Sequence, residues 1–304
     1  MNQNNETNSF IDLSNAMADA VAKAGAATVL VNARQRMPAS GVAYAADLIL
    51  TADHVVEQEE GITVVLPDGS EVPARLVGRD PTSDLAVLRL ERAVASPAEP
   101  ALESARVGQM VLALGRPGSE GIEASLGVVS AAGGPVRTRR GGLLERYLRT
   151  DTIPYPGFSG GPLIDASGRV LGINTSGIAP GTALTIPTSL AWQVAAALAQ
   201  DGRLRRGYLG VRSQPVELTG PMQSALGREQ AVGLLMVGVE KGNPAAVGGM
   251  MVGDILVGLN GQAITDPDEL VSRLTGSLVG SPATVEILRG GQQMELTVVV
   301  GERK

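Results

Sequence analysis

A chain of 304 residues is long enough for two or three ordinary domains, and two is the starting expectation. Hydrophobic residues at 44% and charged residues at 18% suit a soluble globular protein, whereas aromatics at 2% exclude a surface of many stacked rings and demand an aliphatic core. A net charge of −6 and a pI near 5.0 disfavour nucleic acid as the principal partner, and the absence of cysteine rules out disulfides, thiolate chemistry and a cysteine-based zinc site.

After a polar start, Phe10, Ile11, Leu13, Met17, Ala20 and Val21 recur at helical spacing and Gly25 follows as a stop, so residues 9–24 are expected to form a short amphipathic helix. The N-terminus lacks a basic start followed by an unbroken apolar run, and no stretch reaches the roughly 18 apolar residues of a membrane span. The chain as given is therefore expected to be cytoplasmic, or extracytoplasmic if it has been trimmed. From residue 25 to about 187 the texture is that of strands: ATVLV, DLILT, ITVVLPDGSEV, DLAVLRL, QMVLALG, SLGVVS and GRVLGI alternate with turn signals. Hairpins are expected at Pro67-Asp68-Gly69 and at Asp165-Ala166-Ser167-Gly168. So many short strands with almost no intervening helix predict antiparallel barrels or a sandwich rather than a parallel sheet. The short basic clusters Arg137–Arg140 and Arg203–Arg206 are read as solvated loops.

Residues 188–201 change to helical periodicity, with Thr188 or Ser189 as N-cap and Gly202 as the stop. Residues 203–207 are expected to be a linker. Residues 208–304 are expected to form a second β-rich domain with a helix near 267–275, opened by Pro267.

His54, in TADHVV directly after an apolar strand, is the only histidine. A lone histidine there is most often structural. The segment Gly157-Phe158-Ser159-Gly160-Gly161 changes its meaning, because glycines around a serine let the backbone turn tightly and expose a hydroxyl beside its own N–H groups. That hydroxyl needs a base to become a nucleophile, and an imidazole with a pKa of about 6.5 serves at neutral pH. Asp84, in SDLAVLRL, is the candidate for the third group that holds the tautomer, although taken singly it reads equally as a turn aspartate. No histidine follows Ser159, which excludes a complete α/β-hydrolase triad, and the order His, Asp, Ser is that of chymotrypsin-like enzymes. A subtilisin-like order would need Asp47 or Asp53 as the acid on a parallel sheet, which the strand pattern does not support.

TADHVV, DPTSDLAVLRL and GFSGGPLID with GRVLGINT, followed by a PDZ-like segment, together resemble the HtrA/Deg family of serine proteases over roughly residues 25–302. The resemblance implies a mainly β fold: a chymotrypsin-like double six-stranded β-barrel at 25–202 and a small α+β PDZ domain at 208–304. It implies His54 as general base then acid, Asp84 as its orienter, Ser159 as nucleophile, and the N–H groups of Gly157 and Ser159 as oxyanion hole. It places Ile153 at the floor of the specificity pocket, predicting cleavage after small or medium aliphatic residues, and makes Thr182–Ile186, with Ala183, Leu184 and Thr185, the strand that meets substrate. Phe158 departs from the family's usual Asn, and a large ring there is expected to bias the peptide of the oxyanion hole. The segment Arg34–Ala43 is shorter than the regulatory loop of some relatives. Tyr208-Leu209-Gly210-Val211 resembles the PDZ loop that captures a peptide C-terminus, and Asn260-Gly261 reads as a tight hairpin turn.

The expected function is an ATP-independent endopeptidase acting on unfolded or damaged polypeptides, since no P-loop pattern occurs, with no cofactor or metal and a homotrimeric assembly by resemblance. The alternatives are a catalytically silent, chaperone-like peptide-binding scaffold, for which Phe158 is the only hint, and a serine esterase, which the chain order and the PDZ-like segment disfavour.

Overall fold

Antiparallel pairing of neighbours in the chain builds most of the first 200 residues of the computed structural model, which describes residues 3–93, 96–118, 120–138, 143–144, 146–179, 182–274 and 276–302. Arg139 and Arg140 of the first basic cluster lie outside the described residues. Two compact units divide the chain, Met1–Arg203 and Leu204–Lys304.

The first unit opens with α1 (Gln3–Gly25), longer than the expected helix. Towards its C-terminus Ala20 and Ala24 are buried, while Phe10, Ile11 and Leu13 are exposed. Strands β1 (Thr28–Asn32), β2 (Ala39–Ala45), β3 (Leu48–Ala52), β4 (Thr63–Val65), β5 (Glu71–Asp80) and β6 (Leu85–Leu90) close into a barrel in the order β1-β2-β3-β6-β5-β4. Its core is aliphatic, as the composition required: Val29, Val31, Ile49, Val64, Val72 and Leu88 are fully buried.

The second barrel is made of β7 (Met110–Gly118) and β8 (Gly121–Gly133) with four later strands; between them β9 (Val136–Arg137) and β10 (Leu143–Leu144) form a small hairpin outside the barrel. The later strands are β11 (Tyr147–Thr150), β12 (Pro162–Ile164), β13 (Val170–Ala179) and β14 (Thr182–Pro187), and the order is β11-β14-β13-β12-β7-β8. Both expected hairpins form, β4 with β5 and β12 with β13.

Helix α2 (Thr188–Asp201) buries Ala191, Val194, Ala195 and Leu198, the i, i+3, i+4, i+7 stripe of one face, against strands of both barrels. Its N-cap is Pro187 rather than Thr188 or Ser189. The chain passes from strand to helix without a loop, and Thr188 Oγ1 donates to the Val170 carbonyl instead of capping. Gly202 ends the helix at φ +70°, a left-handed cap that glycine adopts without strain.

Gly207 and Tyr208 already form β15 (Gly207–Tyr208), paired with the last strand, so the expected 203–207 linker is partly strand. Then come β16 (Val211–Glu217), α3 (Gly220–Leu226), β17 (Val232–Val239), α4 (Pro244–Val247), β18 (Ile255–Leu259), β19 (Gln262–Ala263), α5 (Pro267–Arg273), β20 (Pro282–Arg289), β21 (Gln292–Val299) and β22 (Gly301–Glu302). The main sheet runs β16-β17-β18-β20-β21, with β16 at its edge. The Asn260-Gly261 turn joins β18 to β19 with φ of +49° and +76°, the left-handed pair that a two-residue hairpin of this type demands. Arg289 grips Asp254 with two hydrogen bonds of 2.8 Å, tying β20 to the entrance of β18.

Candidate active site

Pairing of β3 with β6 brings the two ends of the first barrel's machinery together. Ala52 lies opposite Leu85, and the Asp53 N–H donates to the Asp84 carbonyl, so the one-turn 3₁₀ segment Asp53–Val55 stands against the residue that precedes β6. Asp84 is held there at φ +55°, in a turn secured by Asp80, whose carboxylate accepts from both the N–H and the hydroxyl of Ser83. Its Oδ2 lies 2.7 Å from His54 Nδ1 and its Oδ1 accepts the His54 N–H at 2.9 Å. A carboxylate only accepts, so Nδ1 carries the proton and Nε2 is left as the basic nitrogen.

Two residues of β13 complete this arrangement, and neither was singled out from the sequence. Thr175, buried, donates its hydroxyl to Asp84 Oδ2 and accepts the Gly177 N–H at 2.9 Å. Gly177 must be glycine: a Cβ there would sit 2.5 Å from Asp84 Oδ2 and 2.6 Å from His54 Nδ1. A hydroxyl inside the apolar run VLGINTS was the available signal for Thr175.

Asp53 lies beside the histidine in sequence and pairs with Arg79. Buried completely, its carboxylate takes Arg79 Nε while Arg79 Nη2 reaches the carbonyls of Asp53 and Val56. It is Asp84, and not Asp53 as a subtilisin-like order would need, that meets the His54 ring.

Ser159 comes from the second barrel, in the turn before β12, and shares with His54 a cleft of about 280 Å³. Its Oγ lies 3.2 Å from Ser176 Oγ; among the described residues no hydrogen bond joins it to the imidazole. Such bonds are often loose in the absence of substrate. Gly157 stands at φ +86°, and among the described residues neither its N–H nor that of Ser159 donates a hydrogen bond.

Phe158, between Gly157 and Ser159 in this turn, sends its ring inward. The ring is 2% exposed, packs edge-on to Tyr155 at 5.4 Å and joins the second barrel's core with Val111, Val129 and Leu163. Gly115 makes room for it, since a Cβ there would lie 2.4 Å from the ring. The ring expected to bias the peptide of the oxyanion hole is thus packed inward, while Phe158 also borders the cleft beside Ser159.

Ile153 is also corrected. It is 56% exposed and absent from the cleft lining, and its N–H donates to Ser125 Oγ at 2.8 Å. Ala183, Leu184 and Thr185 do line the cleft, with Thr150, Thr152 and Asn174. Their strand β14 pairs with β13 along most of its length and with β11 at Thr185. The unpaired stretch is Ser176–Ile178, where the register with β14 breaks between Thr175 and Ala179.

In the second unit, Tyr208-Leu209-Gly210-Val211 joins β15 to the edge strand β16. Leu209 is buried in the core; Tyr208 donates its hydroxyl to Glu240 and accepts from Asn243 Nδ2, which fixes the loop's flank. Among the described residues no cluster of histidine, aspartate and glutamate could hold a metal ion, and no helix is long and apolar enough to cross a membrane.

Residues 39–173 match the family described as trypsin-like peptidase domain, and residues 207–300 match the PDZ domain family. The chain is 36% identical over 276 residues to a probable periplasmic DegP-like serine endoprotease of Rhizobium meliloti, covering 88% of this chain and 54% of that protein. A relative with the same description from Pseudomonas putida is 36% identical over 259 residues, covering 83% and 53%. The chain thus spans about half the length of the curated relatives it matches. Among solved structures, the HtrA-type protease AlgW with tripeptide superimposes with a TM-score of 0.79 at 33% identity, covering 95% of this chain and 97% of that one. The serine endoprotease from Yersinia pestis gives 0.74 at 30% identity, covering 95% and 98%. Relatives described as periplasmic lend no support to the expected cytoplasmic location. With two closed six-stranded barrels, a PDZ unit after them, and solved relatives matched across nearly their whole length, this chain belongs to the HtrA family of trypsin-like serine proteases.

Proposed function

We propose that the protein is an ATP-independent serine endopeptidase that cleaves unfolded or damaged polypeptides through an acyl-enzyme, with the PDZ unit binding peptide C-termini. The observation that carries this reading is the 2.7 Å contact between His54 Nδ1 and Asp84 Oδ2 at one wall of the cleft that also contains Ser159.

In this mechanism Ser159 Oγ attacks the scissile carbonyl carbon as His54 Nε2 takes the hydroxyl proton, and Asp84 stabilises the imidazolium. The carbonyl oxygen, now an anion, is met by the N–H groups of Gly157 and Ser159. Collapse of the tetrahedral species breaks the C–N bond and His54 returns the proton to the leaving amine. Water then repeats the sequence at the acyl carbon. Ser176–Ile178 is the backbone edge for the residues that precede the scissile bond, supported by its lack of a strand partner. The first side chain enters beside Leu184, Ala183 and Thr185, a lining that suits small or medium aliphatic residues.

The exposed Phe10, Ile11 and Leu13 on the free half of α1 favour burial against other copies, in keeping with a homotrimer. The description of its relatives as periplasmic supports an extracytoplasmic setting. The silent-scaffold alternative loses its motive with the inward packing of Phe158.

The test is labelling by a fluorophosphonate together with degradation of casein, for the wild type, Ser159→Ala and His54→Ala. Labelling and degradation by the wild type alone support the proposal; a wild type that neither labels nor degrades, with or without a PDZ-binding peptide, sinks it.

A further inference from the structure

The turn that carries Ser159 is tied to the first barrel by one residue. Ser40, fully buried on β2, donates its hydroxyl to the Gly157 carbonyl at 2.7 Å and its N–H to the Ser159 carbonyl at 3.1 Å. The Ser40 Oγ itself accepts the Arg116 N–H at 2.8 Å. That donor faces the hydroxyl's lone pair, so the hydroxyl proton is committed to Gly157 and does not rotate elsewhere. Arg116 is anchored in turn, its guanidinium donating to the carbonyls of Thr28 and Gly25.

Each peptide unit of the turn has a holder except one. The 157–158 unit is held by Ser40 and by the Phe158 N–H on Tyr155; the 158–159 unit by Gly161; and the 159–160 unit by Ser40 and by the Gly160 N–H on Asn174. Among the described residues, the 156–157 unit, whose N–H is that of Gly157, has no such bond. Its direction is set by rotation about the Gly157 N–Cα bond, φ +86°, relative to a carbonyl that Ser40 holds still.

We infer that Ser40 is a positioning residue for the oxyanion hole, acting through the Gly157 and Ser159 carbonyls to keep their N–H groups aimed into the cleft. The inference rests on the serine-protease reading and adds to it a residue outside the triad. Ser40 touches no reacting atom. Its effect falls on the tetrahedral species, which uses those N–H groups, and not on the bound substrate.

The experiment compares Ser40→Ala, Ser40→Thr and, as a control that loses a buried hydroxyl bond elsewhere in the same unit, Thr188→Val. In the full chain, Ser40→Ala is expected to lower kcat about 10- to 100-fold, less than the loss on removing an oxyanion donor outright, with KM changed less than about twofold. The Ki of a peptide boronate, whose boron-bound oxygen occupies the hole, rises in parallel with the loss in kcat. The pH profile of kcat/KM, set by the imidazole, stays where it was. Ser40→Thr recovers most of the rate, and Thr188→Val shows no selective loss in kcat even where its Tm falls as far.

Hydrogen exchange of residues 155–161 gives a readout that needs no turnover: Ser40→Ala speeds it and Thr188→Val does not. A wild type that fails to cleave overturns the protease reading, while unchanged exchange in Ser40→Ala overturns the role of Ser40. In an active wild type, an unaltered kcat in Ser40→Ala, or an equal loss in Thr188→Val, overturns it as well.

Discussion

The Asp84 carboxylate and the His54 ring meet at 2.7 Å while Asp84 itself sits at φ +55°, a left-handed backbone that aspartate and asparagine tolerate better than most residues. Asp84→Asn is therefore expected to keep the fold and spoil the chemistry, because an amide that donates toward Nδ1 favours the wrong tautomer. The rate constant kcat should fall by about 10⁴ with Tm nearly unchanged, measured on a peptide substrate and by thermal unfolding.

Gly177→Ala tests the close approach of β13 to the same pair. A methyl group placed 2.5 Å from Asp84 Oδ2 must push either the carboxylate or the strand aside. Labelling by a fluorophosphonate should slow by at least about 100-fold, since displacement of a catalytic group by about 1 Å is enough for that loss. Labelling at the wild-type rate would show that the strand yields without disturbing the histidine.

Phe158 is a core residue by its surroundings, so its replacement acts on stability first. Phe158→Ala should destabilise the first unit by about 3 to 5 kcal/mol in denaturant unfolding. Phe158→Asn should also destabilise it, because it leaves an amide among Val111, Val129 and Leu163. An increase in activity at undiminished stability would contradict this account.

Acid should loosen the second unit through Asp254. Burial works against its ionised form, but the hydrogen bonds from Arg289 and the Met251 N–H, with the Arg289 charge, outweigh burial and hold the carboxyl below its ordinary value. A carboxyl with a lowered folded pKa contributes stability that is present above its unfolded value, about 3.9, and is lost as pH falls through the folded value. Unfolding of the full chain monitored in the second unit should show a smaller loss between about pH 6 and about pH 3 for Arg289→Leu than for the wild type.

Pro215 limits how much peptide the second unit's edge strand can read. The Glu240 N–H donates to Gly210 and the Leu218 N–H to Ala231, so even-numbered residues of β16 face β17, and Val211, Ser213 and Pro215 face the free edge. A peptide strand added there finds N–H donors at Val211 and Ser213 and none at Pro215. Pro215→Ala should tighten binding of peptides of about six residues by about 2- to 10-fold and leave a tripeptide unchanged, read by calorimetry.

The strand-rich texture of residues 25–187, the chain order His54, Asp84, Ser159 and the periodicity of residues 188–201 were legible because each is local: alternation, spacing and order survive without knowledge of what packs on what. The same holds for the turns at Pro67-Asp68-Gly69 and Asn260-Gly261, whose residues carry their own backbone preferences. Ile153 was expected in the pocket by counting back from Ser159, which gives a distance along the chain and not the direction of a side chain, whereas Ala183, Leu184 and Thr185 do line the cleft.

By itself, the sequence determined an aliphatic β-rich protein without cysteine, a single available imidazole and a glycine-framed serine that only a chymotrypsin-like order could complete. The tertiary structure alone decided that Thr175 and Gly177 would close on Asp84, that Phe158 would turn into the core and that Ser40 would hold the Gly157 and Ser159 carbonyls. These contacts join residues dozens of positions apart through barrel closure and strand register. Hydrophobic pattern specifies which face of a strand is buried, but which particular groups meet there depends on how the closed barrels bring their strands together.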